Sequence, residues 1–318
     1  MARRKQVLAV KSKAQRKAAR KETGPLINLV VTPRTLARYN LALKRFFAFL
    51  HALPYLWPRS LTDLDSQLSS FVELCWEEGD PVGYASDAIC GVQHYLPRAR
   101  RHLACSWRLL GAWKKHELPC RATPFLPAFV AAVAGWFCAH SLPGTAAALL
   151  LGFHCLLRTQ EFVSAQWAHL TIQTKSSIAV LLLPNTKSGQ RFGHEESVVI
   201  SDSALIQMLL ALSKARLPGD TIMEVAGPRF RSLFAQAVRA LPLPPGDWKP
   251  YSCRRGGATQ HYRLFASLDA TCVRGRWANT RTCRLYINDA IAALNELQIT
   301  PNQTLALEKW QKHLPTHG

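Results

Sequence analysis

The chain has 318 residues, 48% of them hydrophobic, and 40 Lys/Arg against 20 Asp/Glu give a formal charge of +20. That length allows two domains with true cores, and nine cysteines without a CxxC pair argue against a disulfide framework and for a reducing compartment. The most apolar runs, 125–139 and 142–157, are short or interrupted for a membrane span, and the N-terminus has no apolar signal segment, so no membrane partner is expected.

Residues 1–24 carry nine Lys/Arg and one Glu, or +8, so the rest keeps 31 − 19 = +12. A folded body with that surplus seeks a polyanion, and nucleic acid is the natural one. Residues 1–31 read as a basic arm, expected to be disordered and suited to nuclear import or to tracking DNA.

A helix starts at Thr32-Pro33, a cap residue followed by proline in the first turn. Leu36, Tyr39, Leu43, Phe46, Phe47 and Leu50 recur at helical spacing, with Arg34, Arg38, Lys44 and Arg45 off the stripe. Further helices are predicted after Asp63, over 83–96 and over 98–116, the last with Leu103, Trp107, Leu110 and Trp113 inward. Residues 32–118 therefore form an all-α domain with a basic side that includes Arg100 and Arg101, suited to the DNA backbone. Prolines 119, 124 and 127 mark 119–127 as a linker.

A second domain, 128–318, opens with two apolar helices, about 126–139 and 144–157, the second delivering Arg158-Thr-Gln-Glu161 at its end. The periodicity then shifts to three strands, 168–173, 177–183 and 197–200. The last two flank a polar loop that carries Lys187. Helices follow over 202–212 and 228–241, and a proline-rich passage leads to Tyr251-Ser-Cys-Arg254-Arg255-Gly-Gly-Ala-Thr. Trp277 comes later, and Tyr286 lies nine residues beyond it among Arg281, Arg284 and Asn288. On one unbroken helix Trp277 and Tyr286 would sit on opposite faces. A break is needed, and Asn279 or Thr280 is suited to cap a new helix.

Breaking a phosphodiester without metal needs fixed donors for the non-bridging oxygens, an acid for the leaving oxygen and a side-chain nucleophile. The arginine fork suits phosphate, so Arg158 and Arg254 are the candidate clamps. Lys187 suits the acid, and Tyr286 suits the nucleophile, whose covalent ester would preserve the bond energy for religation. Taken singly, each residue has an ordinary structural explanation, such as an i,i+3 ion pair for Arg158 and Glu161. The ordered set is what points to chemistry. His154, His169, His194 and His261 show no metal-ligand spacing, and no cofactor is implied.

These residues resemble the tyrosine recombinase (phage integrase) family, closest in feel to eukaryotic mobile-element members. Leu157-Arg158-Thr-Gln-Glu161 matches the family's first box, and Lys187 its hairpin lysine. Tyr251-Ser-Cys-Arg254 matches the second box, with tyrosine where histidine is commonest. Trp277 matches the His/Trp position, and Tyr286 the nucleophile. The resemblance implies a mostly α fold with a small antiparallel β-sheet in the catalytic domain, arranged as a two-domain C-shaped DNA clamp. It implies double-stranded DNA as partner, a homotetramer on paired sites with a C-terminal helix donated to a neighbour, and no small-molecule substrate. Residues 289–298 fit that helix, as they fit ordinary intramolecular packing. Tyr286, Arg158, Arg254, Lys187, Tyr251, Trp277 and Glu161 are the expected catalytic set. Arg34, Arg38, Lys44, Arg45, Arg100, Arg101, Arg255 and Arg281 are the expected DNA contacts. The expected location is the nucleus in a eukaryote and otherwise the cytoplasm with the nucleoid. A DNA-binding protein that has lost cleavage and a type IB topoisomerase are the alternative readings.

Overall fold

A computed structural model describes residues 12–53, 57–173, 178–184, 186, 189 and 195–315. The chain divides into two compact units that meet between Cys120 and Arg121.

In the first unit α1 (Lys13–Thr23) is a helix with no buried residue, where a disordered arm was expected. Its Ala, Lys and Arg content favours helix, and Ser12 and Gln15 close a capping box at its start. The expected cap and proline begin α2 (Pro33–Ala52), with Thr32 accepting from the Thr35 N–H. A capping box of Ser60 and Asp63 starts α3 (Leu61–Glu77) before the expected position, and α4 is Val82–Tyr95. The fourth predicted helix resolves into a tight turn, Pro97–Arg101, and α5 (Ala104–His116). Ala42, Leu43, Phe46, Leu50, Leu68 and Phe71 are among the core of these helices. Phe47 and Trp107, both expected inward, are 46% and 38% exposed.

The second unit is built round α6 (Pro127–Ala139) and α7 (Pro143–His154), which pack together and lack a polar face because neighbours surround them. The linker's latter part belongs to this unit: Phe125 and Leu126 are buried, and the Phe125 N–H donates to Ser252 O. Leu156 takes a left-handed turn at φ 52°, so Arg158 is not at the end of α7 but caps a short new helix, α8 (Thr159–Val163).

Strands β1 (Leu170–Gln173), β2 (Ile178–Leu183) and β3 (Glu196–Ile200) make one antiparallel sheet in the order β1-β2-β3. The register pairs Leu170 with Leu181 and Val180 with Val199. Alternation turns Glu196, Val198 and Ile200 inward, which puts a carboxylate at a buried position of β3. Then come α9 (Ser203–Ser213), α10 (Gly227–Ala240), α11 (Ser252–Phe265), α12 (Leu268–Gly275), α13 (Thr280–Arg284), α14 (Asp289–Gln298) and α15 (Pro301–Gln311). The sequence reading missed α12.

Gly256 and Gly257 explain why α11 lies so deep. A Cβ at Gly256 would come within 2.2 Å of Phe125 O, and one at Gly257 within 2.0 Å of Phe153 O. Their lack of side chains lets α11 press onto the 125 segment and α7, which buries every residue from Ser252 to Thr259. Arg254 is carried into the interior with them. The fold class is the expected one, mostly helical with a small antiparallel sheet.

Candidate active site

Arg254 has no solvent exposure. Its Nη1 donates to Leu156 O at 2.5 Å and its Nη2 to Gly275 O at 2.7 Å, while its buried Nε has no hydrogen-bond partner among the described residues. Burial first, then repulsion from Arg158 and Arg276, pulls its pKa down to about 10, so it remains a cation at neutral pH. Its guanidinium carbon lies 4.8 Å from the centre of the Trp277 ring and 5.2 Å from that of Tyr286.

Tyr286 reaches this place through two chain breaks. Arg276 ends α12 in a left-handed conformation, φ 56°, uncommon for a residue with a side chain. The Asn279 side chain then accepts from the Thr282 N–H and starts the short α13, as the sequence predicted. Trp277 and Tyr286, opposed on a continuous helix, meet with ring centres 4.5 Å apart. Trp277 is buried, and its indole N–H makes no hydrogen bond of normal geometry among the described residues. Tyr251, half exposed at the start of α11, has its ring centre 5.8 Å from that of Tyr286.

The two phenols titrate in opposite directions. For Tyr286, burial opposes ionisation, but the Tyr251 hydroxyl, the Arg254 charge, the neighbouring Trp277 indole and the Arg158 charge outweigh it, and the pKa falls below the usual phenol value. For Tyr251, burial and then the hydrogen bond and charge of Tyr286 raise it. Ionisation is thus directed to Tyr286.

Glu161 joins the arginines. Its Oε1 accepts from Arg158 Nη1 at 2.6 Å, and its Oε2 from the Arg158 main-chain N–H at 2.8 Å and from Arg276 Nη2 at 2.6 Å. Arg276 Nε also donates to Glu196 Oε2 at 3.1 Å. Among the described residues these three guanidinium groups face two carboxylates, 3 − 2 = +1. Sequence reading missed Arg276 and Glu196. The inward register of Glu196 was readable from β3, but its partner was not.

The structure brings together Arg158, Glu161, Tyr251, Arg254, Trp277 and Tyr286. Lys187 lies outside the described residues. Among the expected DNA contacts, Arg34, Lys44, Arg100, Arg101 and Arg281 are exposed. Arg38 pairs with Asp87 at 2.6 Å, and Arg45 with Asp80 at 2.7 Å. Arg255 is corrected: it is only 4% exposed, because the first turns of α11 are enclosed all round, and its Nη1 donates to Leu285 O at 3.0 Å. Arg121 Nη1 reaches the same oxygen at 3.0 Å, so two cations hold the peptide that precedes Tyr286. In α14, Ala292 and Asn295 are buried within this chain, and Arg263 on α11 bonds to both Asp289 and Glu296. Ile291, Leu294 and Leu297 stay exposed.

No protein-family model and no curated protein sequence matches this chain. Solved structures do. A dimer of lambda integrase residues 75–356 bound to a COC′ core site aligns with TM-score 0.54 and 14% identity, over 82% of this chain and 90% of that one. XerH site-specific recombinase bound to its difH substrate, before cleavage, gives 0.53 and 11%, over 82% and 78%. The Tn1549 transposon integrase with transposon right-end DNA gives 0.51 and 11%, over 85% and 95%. At such identities the likeness is one of fold.

Proposed function

We propose that this chain, whose fold is that of the tyrosine recombinases, breaks and rejoins DNA strands through a phosphotyrosyl intermediate formed on Tyr286. The observation that carries the reading is a pair of buried donors, Arg254 Nε and Trp277 Nε1, that make no hydrogen bond of normal geometry among the described residues, beside a tyrosine of lowered pKa. Each orphaned donor costs roughly 1–3 kcal/mol, and a phosphate oxygen would satisfy both kinds.

In the forward step the Tyr286 oxygen loses its proton and forms a bond to the scissile phosphorus, while the bond from phosphorus to the 5′ oxygen breaks. The products are a 3′-phosphotyrosyl ester and a 5′ hydroxyl. Arg158 and Arg254 hold the non-bridging oxygens, where charge grows, and Trp277 and Tyr251 add neutral donors. Lys187 supplies the proton taken up by the leaving oxygen. Glu161 orients the arginines. The exposed arginines and lysines of the helical unit contact the DNA backbone. Oligomers on paired DNA sites, with the homotetramer as the working form, complete the proposal, since the neighbours named above include a DNA-bound dimer.

The test is covalent trapping on nicked suicide DNA. Wild type should form a protein–DNA adduct and Tyr286→Phe none; equal adduct from both would defeat the assignment. A mobility shift without adduct would favour a protein that binds DNA but no longer cuts it. Relaxation of any supercoiled plasmid, without a specific site, would favour a topoisomerase.

A further inference from the structure

Resting on the reading of Arg254 as a phosphate donor, we propose that Arg276 is a positioning residue that keeps the Glu161 carboxylate off Arg254. Glu161 Oε2 lies 2.6 Å from Arg276 Nη2 but 3.8 Å from Arg254 Nη1, beyond a hydrogen bond. Were the carboxylate to close that gap, it would compete with Leu156 O for Nη1, draw the guanidinium towards itself and cancel a charge that the phosphate needs. In so enclosed a site that attraction is only weakly screened.

Arg276 is fixed for this task from three sides. Its Nε donates to Glu196 Oε2 at 3.1 Å, its Nη1 to Cys155 O at 3.5 Å and its Nη2 to Glu161. All three nitrogens are engaged inside the protein, and its side chain is 9% exposed, so it is not a DNA contact. Its left-handed backbone, φ 56°, is retained on a residue type that disfavours it. The partners lie 115 residues away at Glu161 and 80 away at Glu196, so the device spans the unit.

The experiment compares Arg276→Gly, Glu161→Gln and the double variant in the full chain. Glycine suits the left-handed backbone, so the fold should tolerate the change. Two readouts are taken: single-turnover adduct formation on nicked DNA, and ultraviolet-difference titration of the Tyr286 phenol, isolated by subtracting the same variant carrying Tyr286→Phe. Arg276→Gly should slow adduct formation on the order of tenfold and raise the Tyr286 pKa, since Arg254 then faces a carboxylate. Adding Glu161→Gln should recover most of the Tyr286 shift, because a neutral amide cannot quench the guanidinium, and adduct formation by the double variant should match that of Glu161→Gln alone, which lacks the carboxylate that orients the arginines. A merely structural arginine would show no such recovery. A double variant as impaired as Arg276→Gly in the titration overturns the proposal, as does a Tyr286 titration that Arg276→Gly leaves unmoved. If Arg276→Gly melts early, Arg276→Lys with and without Glu161→Gln gives the same comparison. If wild type forms no adduct, the catalytic reading fails while the titration still decides the role of Arg276.

Discussion

Each unit of the molecule buries charge among polar neighbours, and Asp65 in the first and Arg254 in the second are treated differently. In the helical unit Asp65, 7% exposed, accepts from the Ser106 N–H at 3.0 Å, the Ser106 hydroxyl at 2.6 Å and the Cys105 N–H at 2.9 Å. Its charge is fully answered and ties α3 to the start of α5. In the second unit Arg254, wholly buried, is answered by two carbonyls and, at 3.8 Å, by the Glu161 carboxylate, and among the described residues its Nε keeps no partner. Both pay desolvation, but only the second leaves capacity unused. Satisfaction rather than burial separates a structural charge from one held ready for a ligand.

The sharpest break of that contrast is Arg254→Met. Methionine spares the desolvation of a buried cation but leaves Leu156 O and Gly275 O without their donor, at roughly 1–3 kcal/mol each. The melting temperature should fall by only a few degrees while adduct formation falls by roughly 10²–10³-fold, the usual cost of one transition-state donor. A collapse of melting temperature alongside the cleavage would make Arg254 structural.

Asp65→Asn should do the reverse, costing roughly 1.5–3 kcal/mol of stability with little effect on cleavage at a permissive temperature. Burial raises the Asp65 pKa, but its Ser106 and Cys105 donors outweigh that and hold the carboxyl below its ordinary value. A lowered folded pKa means that this stabilisation is complete above the unfolded value, about pH 4, and is lost as pH falls through the folded one. Circular-dichroism unfolding curves should therefore weaken below about pH 4 in wild type and flatten in Asp65→Asn.

Trp277→Phe keeps the ring and removes a donor, a change of about 1 kcal/mol or roughly fivefold in rate. The rate of adduct formation should rise with pH as Tyr286 ionises and level off below the usual phenol pKa. Loss of the indole should move that midpoint upward, and an unshifted pH–rate profile would remove Trp277 from the nucleophile's surroundings.

The smallest effect belongs to the surface. Arg38 pairs with Asp87 while its side chain is 58% exposed, so Arg38→Ala should change stability by less than about 1 kcal/mol. The same change should lower the salt slope of DNA binding by about one if Arg38 also meets a phosphate.

Much of this site was legible along the chain. The nine-residue step from Trp277 to Tyr286 demands a break, and Asn279 is a good cap residue, so the local arrangement followed from helix geometry and one hydrogen bond. Arg158 and Glu161 were readable as an i,i+3 pair. Arg254 and Arg255 show the limit. They are adjacent and of one type, yet one faces the candidate nucleophile and the other holds the carbonyl of Leu285. Arg276 was passed over because nothing local separates it from an exposed cation.

Caps, helix stops and strand alternation rest on contacts within a turn or two, so the amino-acid order alone determined them, together with the cationic surplus and the candidate nucleophile. The pairing of cations with carboxylates and carbonyls was decided by tertiary structure, through contacts such as Arg254 to Leu156 across 98 residues and Arg276 to Glu161 across 115. The reason is that desolvation and Coulomb attraction depend on what surrounds a charge in space, and those surroundings exist only once the Gly256-Gly257 face of α11 has packed against α7.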